Sequence, residues 1–144
     1  MFDQKIEEMI EQVQKPARYT GGEMNTAIKP WPEAEVHFAF CFPDTYEVAM
    51  SHLGMKILYG VINQQPWALC ERVCMPWVDM KALMEKEGVP LFSLETRTPL
   101  NRFDVVGFTL QYEMSYSNIL AMLKLGGIPL HTAERTDADP IVCV

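Results

Sequence analysis

The chain predicts a three-layer α/β domain on a mainly parallel sheet, and three observations carry that prediction. Apolar runs of strand length recur at 36–42, 68–75, 103–110 and 141–144. Helical stripes fill the intervals at 46–63, 78–87 and 115–125. The first strand passes to its helix through a short exposed corner, Pro43-Asp44-Thr45. Strands that alternate with helices build parallel sheets covered on both faces, whose strands read as continuous apolar runs. Ligands of such open sheets sit where the strands end, at the carboxyl edge.

Each element has its own signal. Residues 3–14 place Ile6, Met9, Ile10 and Val13 at helical spacing between Glu7, Glu8 and Glu11. This is an amphipathic helix with Asp3 as a cap and Pro16 as its stop. Residues 15–33 hold glycines and prolines but no periodicity. So long an irregular stretch is often functional, although an arm packed across the sheet is the plainer reading. The helix at 46–63 carries Val48, Leu53, Ile57, Leu58, Val61 and Ile62. Gly88 and Pro90 close the helix at 78–87, and Gly126-Gly127 close the helix at 115–125. Residues 91–100 form an insertion expected to add a short edge strand. A strand at 141–144 with nothing to cover it invites aggregation, so a fragment of a longer protein is expected. Residues 1–34 are then a helix and wrapping arm, and residues 35–144 an α/β domain truncated at its fourth strand.

Composition narrows the function. Lys and Arg number 12 against 19 Asp and Glu, a net charge of −7. Phosphate binding needs a concentrated basic face, so nucleic acid is not an expected direct partner. No apolar run reaches the ~20 residues that cross a bilayer, and the first residues lack the order of a signal peptide. No membrane partner and a cytoplasmic location are expected. Cys41, Cys70, Cys74 and Cys143 lack the second close pair of a zinc site and the compact loop of an iron–sulfur site. They are expected to be reduced and structural, with no metal ligand among the site residues.

The loops 43–47, 75–77 and 109–113 meet at the carboxyl edge. They bring Asp44 and Glu113 beside aromatics, and paired carboxylates can divide acid and base roles. Capping of the following helices is the plainer reading. His52 is a candidate ligand or base, with packing on a neighbour as the alternative. His37 and His131 have no metal partner at useful spacing. A phosphorylation receiver needs an aspartate at the end of its third strand, where Thr109 stands; Asp104 lies at the beginning.

Several segments together carry a family resemblance. They are Lys15-Pro-Ala-Arg-Tyr-Thr-Gly-Gly-Glu-Met-Asn25, Phe42-Pro-Asp-Thr-Tyr-Glu-Val-Ala-Met-Ser-His-Leu-Gly-Met-Lys-Ile-Leu58 and Glu71-Arg-Val-Cys-Met-Pro-Trp77, followed by residues 90–100 and 103–120. In this order they resemble the N-terminal, cobalamin-binding-like domain of a family of radical S-adenosylmethionine proteins. The resemblance implies a flavodoxin-like, Rossmann-like sheet and an accessory role. The domain would position a cofactor or substrate for a catalytic barrel of the same polypeptide. The [4Fe–4S] cluster and S-adenosylmethionine belong to that barrel, whose Cys-x-x-x-Cys-x-x-Cys loop this chain does not contain. Cobalamin domains carry Asp-x-His-x-x-Gly after the first strand. Ending that motif on Gly54 puts Ala49 and Ser51 at the Asp and His positions, with His52 one residue out of register. The resemblance therefore implies cobalamin held, if at all, without a histidine on cobalt. The contacts would come from Asp44, Thr45, Ser51, Met75, Thr109 and Gln111, with Thr109 in place of a corrin-contacting serine. The alternative is a ligand-free structural or partner-binding module on the same fold.

Overall fold

The computed structural model describes residues 1–144. Four parallel strands form one sheet in the order β2-β1-β3-β4: β1 Val36–Phe42, β2 Ala68–Cys74, β3 Val105–Phe108 and β4 Ile141–Cys143. Helices α4 (Val78–Glu87) and α5 (Ser115–Leu125) keep the predicted bounds. Gly88 ends α4 in the left-handed conformation at φ 64°, which a residue without a Cβ adopts at little cost. The strand order is the flavodoxin-like one. β1 is central, and the chain reverses direction across the sheet between β2 and β3, so the crevice between the ends of β1 and β3 is the switch point.

Alternate residues of each strand serve two cores. On one face Ala39, Cys41, Val73, Val106 and Phe108 pack with Ile6 and Met9 of α1 (Phe2–Ile10), Met80 and Met84 of α4, and Ile119 and Met122 of α5. On the other, Phe40, Phe42 and Cys70 pack with Ala49, Met55 and Tyr59 from the helices after β1.

Several expectations are corrected. The first helix, α1, ends at Ile10, before Pro16 is reached, and Asp3 lies in its first turn behind a cap position held by Met1. Pro16 instead opens a 3-10 turn, Pro16–Arg18. The helix expected over 46–63 is two helices, α2 (Tyr46–Ser51) and α3 (Leu53–Asn63), broken at His52 with φ −87° and ψ 109°. The insertion at 91–100 adds no strand to the sheet. Phe92 and Pro99 make one antiparallel bridge within it. It still shields β2, because the Leu94 N–H donates to the Arg72 carbonyl at 2.9 Å and Glu95 accepts the Arg72 N–H at 2.8 Å. That satisfies part of an edge that would otherwise template pairing. The cysteines divide: Cys41 and Cys70 are buried, Cys74 is half-buried, and Cys143 is exposed on β4.

Candidate functional site

The carboxyl edge is held by backbone bonds. The Met75 N–H donates to the carbonyls of Phe42 (3.2 Å) and Asp44 (2.9 Å), joining the ends of β1 and β2. The Thr109 N–H donates to the Cys41 carbonyl at 3.2 Å, joining β1 to β3. Asn118 of α5 reaches across to donate to the Pro43 carbonyl at 2.8 Å. Asp44, Thr45, Met75 and Thr109 thus share one edge, each half-buried. Asp44 Oδ1 accepts the Thr45 N–H at 2.7 Å, and Thr45 holds the cap position of α2 without a side-chain bond. Neither Asp44 nor Glu113 occupies a cap position, since the cap position of α5 falls to Met114.

Thr109 stands apart among these residues. Its Oγ1 is buried and has no hydrogen-bond partner. A hydroxyl denied both water and a partner loses about 1–3 kcal/mol, and such groups call for an explanation. This one lies at the end of β3, beside the switch point.

The remaining expected site residues lie elsewhere. Gln111 is exposed, outside the packed edge. Ser51 is the last residue of α2, about 7.5 Å from its start, and its hydroxyl donates to the Glu47 carbonyl at 2.7 Å. His52 does not lie on a helix flank. Its Nδ1 accepts the Met55 N–H at 3.2 Å as the cap of α3, and its ring packs 5.3 Å from that of Phe42.

A second polar constellation, not expected from sequence, ties the arm to β2. Arg72 donates through Nε to Glu95 (2.6 Å) and through Nη2 to Glu23 (2.7 Å), and its guanidinium lies 5.1 Å from the Tyr59 ring centroid. Tyr46 donates to the other oxygen of Glu23 at 2.7 Å. Burial acts to raise the Glu23 carboxyl, but the bonds from Tyr46 and Arg72 outweigh it and hold Glu23 below its ordinary value. Burial likewise pushes Tyr46, beside that carboxylate, up to about 12. For Glu95, burial wins over Arg72 and the carboxyl is raised. A cleft of ≈ 590 Å³ lies above Arg72, between arm residues 23–27 and α3. Nearer the carboxyl edge, Glu47 pairs with Lys15 and Arg18, and Arg18 lies 5.2 Å from the Trp77 centroid. Its own backbone N–H, then Arg18 and Lys15, hold the Glu47 carboxyl at about 2. Tyr19, buried, accepts the Trp77 N–H at 3.0 Å. The arm therefore starts at the β2 end of the carboxyl edge and runs back along β2: Ala27 packs against the Phe40–Phe42 core, Lys29 donates to the Gln65 and Ala68 carbonyls at 2.7 Å each, and Trp31 stacks on His37. Under Met75 the remaining space is ≈ 20 Å³, room for about one water.

A model of the family described as radical SAM proteins, N-terminal, matches residues 54–144. The chain belongs to this family. No curated protein and no solved structure matches it significantly. The matched span holds β2, α4, β3, α5 and β4, together with nearly all of α3. It includes Thr109 but neither the Pro43-Asp44-Thr45 corner nor the arm.

As a radical SAM N-terminal domain, the chain has donors that can be tested against the cofactors of its family. Iron–sulfur ligation requires thiolates. Burial pushes the Cys74 thiol up to about 12 and raises Cys41 and Cys70 as well. No three His, Cys, Asp or Glu side chains are grouped to hold a metal. These residues do not fit a cluster. A corrin tail is a different demand, needing a crevice and a hydrogen-bond partner; Thr109 supplies an unpartnered hydroxyl at the switch point, but its oxygen is closed to water, so a ligand reaches it only when the edge opens.

Proposed function

We propose that this chain is the accessory domain of a radical S-adenosylmethionine (4Fe–4S) enzyme. It presents its carboxyl edge to a catalytic barrel of the same polypeptide and positions a cofactor or substrate there. The family match supports the placement. The observation that carries the positioning role is the buried, unpartnered Thr109 Oγ1 beside the switch point. Around that edge Trp77, Leu110, Tyr112 and Met114 remain two-fifths or more exposed. Aromatic and Met side chains left in water suit a surface that another domain covers. The chain itself is read as non-catalytic: it binds and orients, and the radical chemistry belongs to the barrel's cluster and S-adenosylmethionine.

The proposed ligand is cobalamin without a protein histidine on cobalt, because His52 is engaged as a helix cap. A bound corrin would supply cobalt-centred alkyl chemistry. The chain's part is to offer the Thr109 hydroxyl to an acceptor on the ligand once the edge opens and exposes Oγ1, with Asp44, Thr45 and Met75 forming the β1–β2 side. A second reading, a ligand-free module, is favoured by the one-water space under Met75.

Mixing the full-length protein with hydroxocobalamin, removing free corrin and recording the visible spectrum separates the two. The accessory reading expects a retained corrin spectrum that Thr109→Val weakens about five-fold or more in affinity, the loss of one hydrogen bond of ~1 kcal/mol. A blank spectrum with a folded protein selects the ligand-free module.

A further inference from the structure

Helix α3, Leu-Gly-Met-Lys-Ile-Leu-Tyr-Gly-Val-Ile-Asn, carries one charge, Lys56, in eleven residues. Its inward side is filled, with Met55 and Tyr59 buried and Ile62 packed against the same core. Residues spaced four apart share a stripe, and Leu53, Ile57 and Val61 form the stripe that points away from that core. They are 69%, 54% and 50% exposed, and Leu58 on the flank is 50% exposed. An ordinary surface helix turns its charges outward; one that is apolar all round is normally buried on both sides. Gly60 has open space where a side chain would project, so a second backbone can approach closely. Beside α3, on the same face of the sheet, Phe38 and Val105 are only half-buried.

We infer that the outward stripe of α3 is a docking surface for the catalytic domain of the same polypeptide, so that α3 is an internal helix of the assembled enzyme. This rests on the proposed function, which supplies the neighbouring domain. Two observations select that occupant. The family describes N-terminal regions of radical SAM proteins, so a catalytic domain is the neighbour such a chain has. The stripe is continuous with the edge that faces it: α3 runs antiparallel to β1, Leu53 lies nearest the carboxyl edge, and exposed Val48 of α2 joins the two. The stripe alone is smaller than a stable interface needs, whatever the partner. Four half-exposed side chains offer about 400 Å², against about 800 Å² per partner in a stable interface. Only a neighbour that covers α3 and the carboxyl edge together reaches that area. The charge pattern agrees, since a chain of net charge −7 places no acid on this helix.

The test uses the full-length polypeptide with the photoreactive residue p-benzoylphenylalanine in place of Ile57, irradiated and digested for mass spectrometry. A second probe at Leu53 serves if the first variant does not fold, as judged by far-UV circular dichroism. The expected result is cross-links from residue 57 or 53 to peptides of the catalytic domain within one polypeptide. Cross-links to residues 1–144 of a second copy, or none above an unirradiated control, overturn the inference. The corrin spectrum is an independent readout. Barrel cross-links with a blank spectrum leave the docking intact and remove the ligand. A corrin spectrum without barrel cross-links does the reverse.

Discussion

At the scale of single residues, the position of one nitrogen atom changes what His52 can do. A histidine one place beyond a ligand position in a continuous helix points elsewhere by rotation alone. Here the reason is different, because the helix is interrupted at His52 and the imidazole Nδ1 is occupied by the Met55 N–H. His52→Ala is expected to destabilise the chain by about 1 kcal/mol through loss of the cap, and His52→Asn to restore most of it. Urea denaturation of the three proteins measures this, and equal stability of wild type and His52→Ala would remove the capping role. Thr109 is the opposite case, a group with capacity and no partner. A threonine after an apolar strand carries no sign of this in sequence, because burial of its Oγ1 depends on residues brought over it from elsewhere in the chain.

At the scale of elements, β1, α4 and α5 were legible because each is periodic from end to end and bounded by breakers or corners. The α2–α3 break was only faintly legible: no proline interrupts 46–63, and the signal is confined to Ser51 and His52, which hold the positions three and four beyond Val48, with Gly54 following. What breaks the helix is tertiary: the His52 ring packs against Phe42 while its nitrogen caps the next segment. The arm is likewise held by contacts no periodicity encodes. Gly21 has φ 61°, and a Cβ there would run into the Leu94 carbonyl oxygen. Because that oxygen is backbone of the 91–100 loop, the clash cannot be relieved by a rotamer change. Gly21→Ala is therefore expected to cost more than the ~1 kcal/mol of backbone strain alone and to lift the arm from the loop. Limited proteolysis would show faster cleavage within residues 15–33 while the rest of the chain stays protected. Unchanged cleavage rates would show that the arm is not fastened at this point.

At the scale of the whole molecule, Arg72 joins the arm through Glu23, the 91–100 loop through Glu95, and α3 through Tyr59. Tyr46 of α2 is joined at one remove, through Glu23. A buried ion network of this kind adds little net stability, but it makes separation of any one member costly. Its pH dependence has two opposed parts. Glu23, held below its ordinary value of 4.5, contributes stability that is complete above that pH and is lost as pH falls through the lowered value. Glu95 is raised, so the folded chain takes up its proton before the unfolded chain does and its share grows as pH falls. Comparison with Glu23→Gln isolates the first part. The difference in melting temperature between wild type and Glu23→Gln is expected to be largest near pH 7 and to shrink below pH 4.5. A constant difference from pH 7 to pH 3 would contradict the assignment.

The sequence by itself determined the alternation of strands and helices, the parallel sheet, and the edge at which Asp44, Thr45, Met75 and Thr109 meet. It could do so because periodicity, chain direction and the handedness of crossovers act locally and leave few arrangements open. It also carried the family resemblance, to which the match over 54–144 gives the coarser form, a radical SAM N-terminal domain. Only the tertiary structure decided that His52 is a cap, that Ser51 bonds back to its own helix, and that Thr109 is orphaned. It alone placed the Arg72 network and the outward apolar stripe of α3. Each of these depends on burial, and burial is a property of residues brought together from distant parts of the chain. Glu23 meets Arg72 across 49 positions and Asn118 meets Pro43 across 75. No local pattern records those separations, because the hydrogen bonds and ion pairs that close them form only once the sheet has set the ends of its strands side by side.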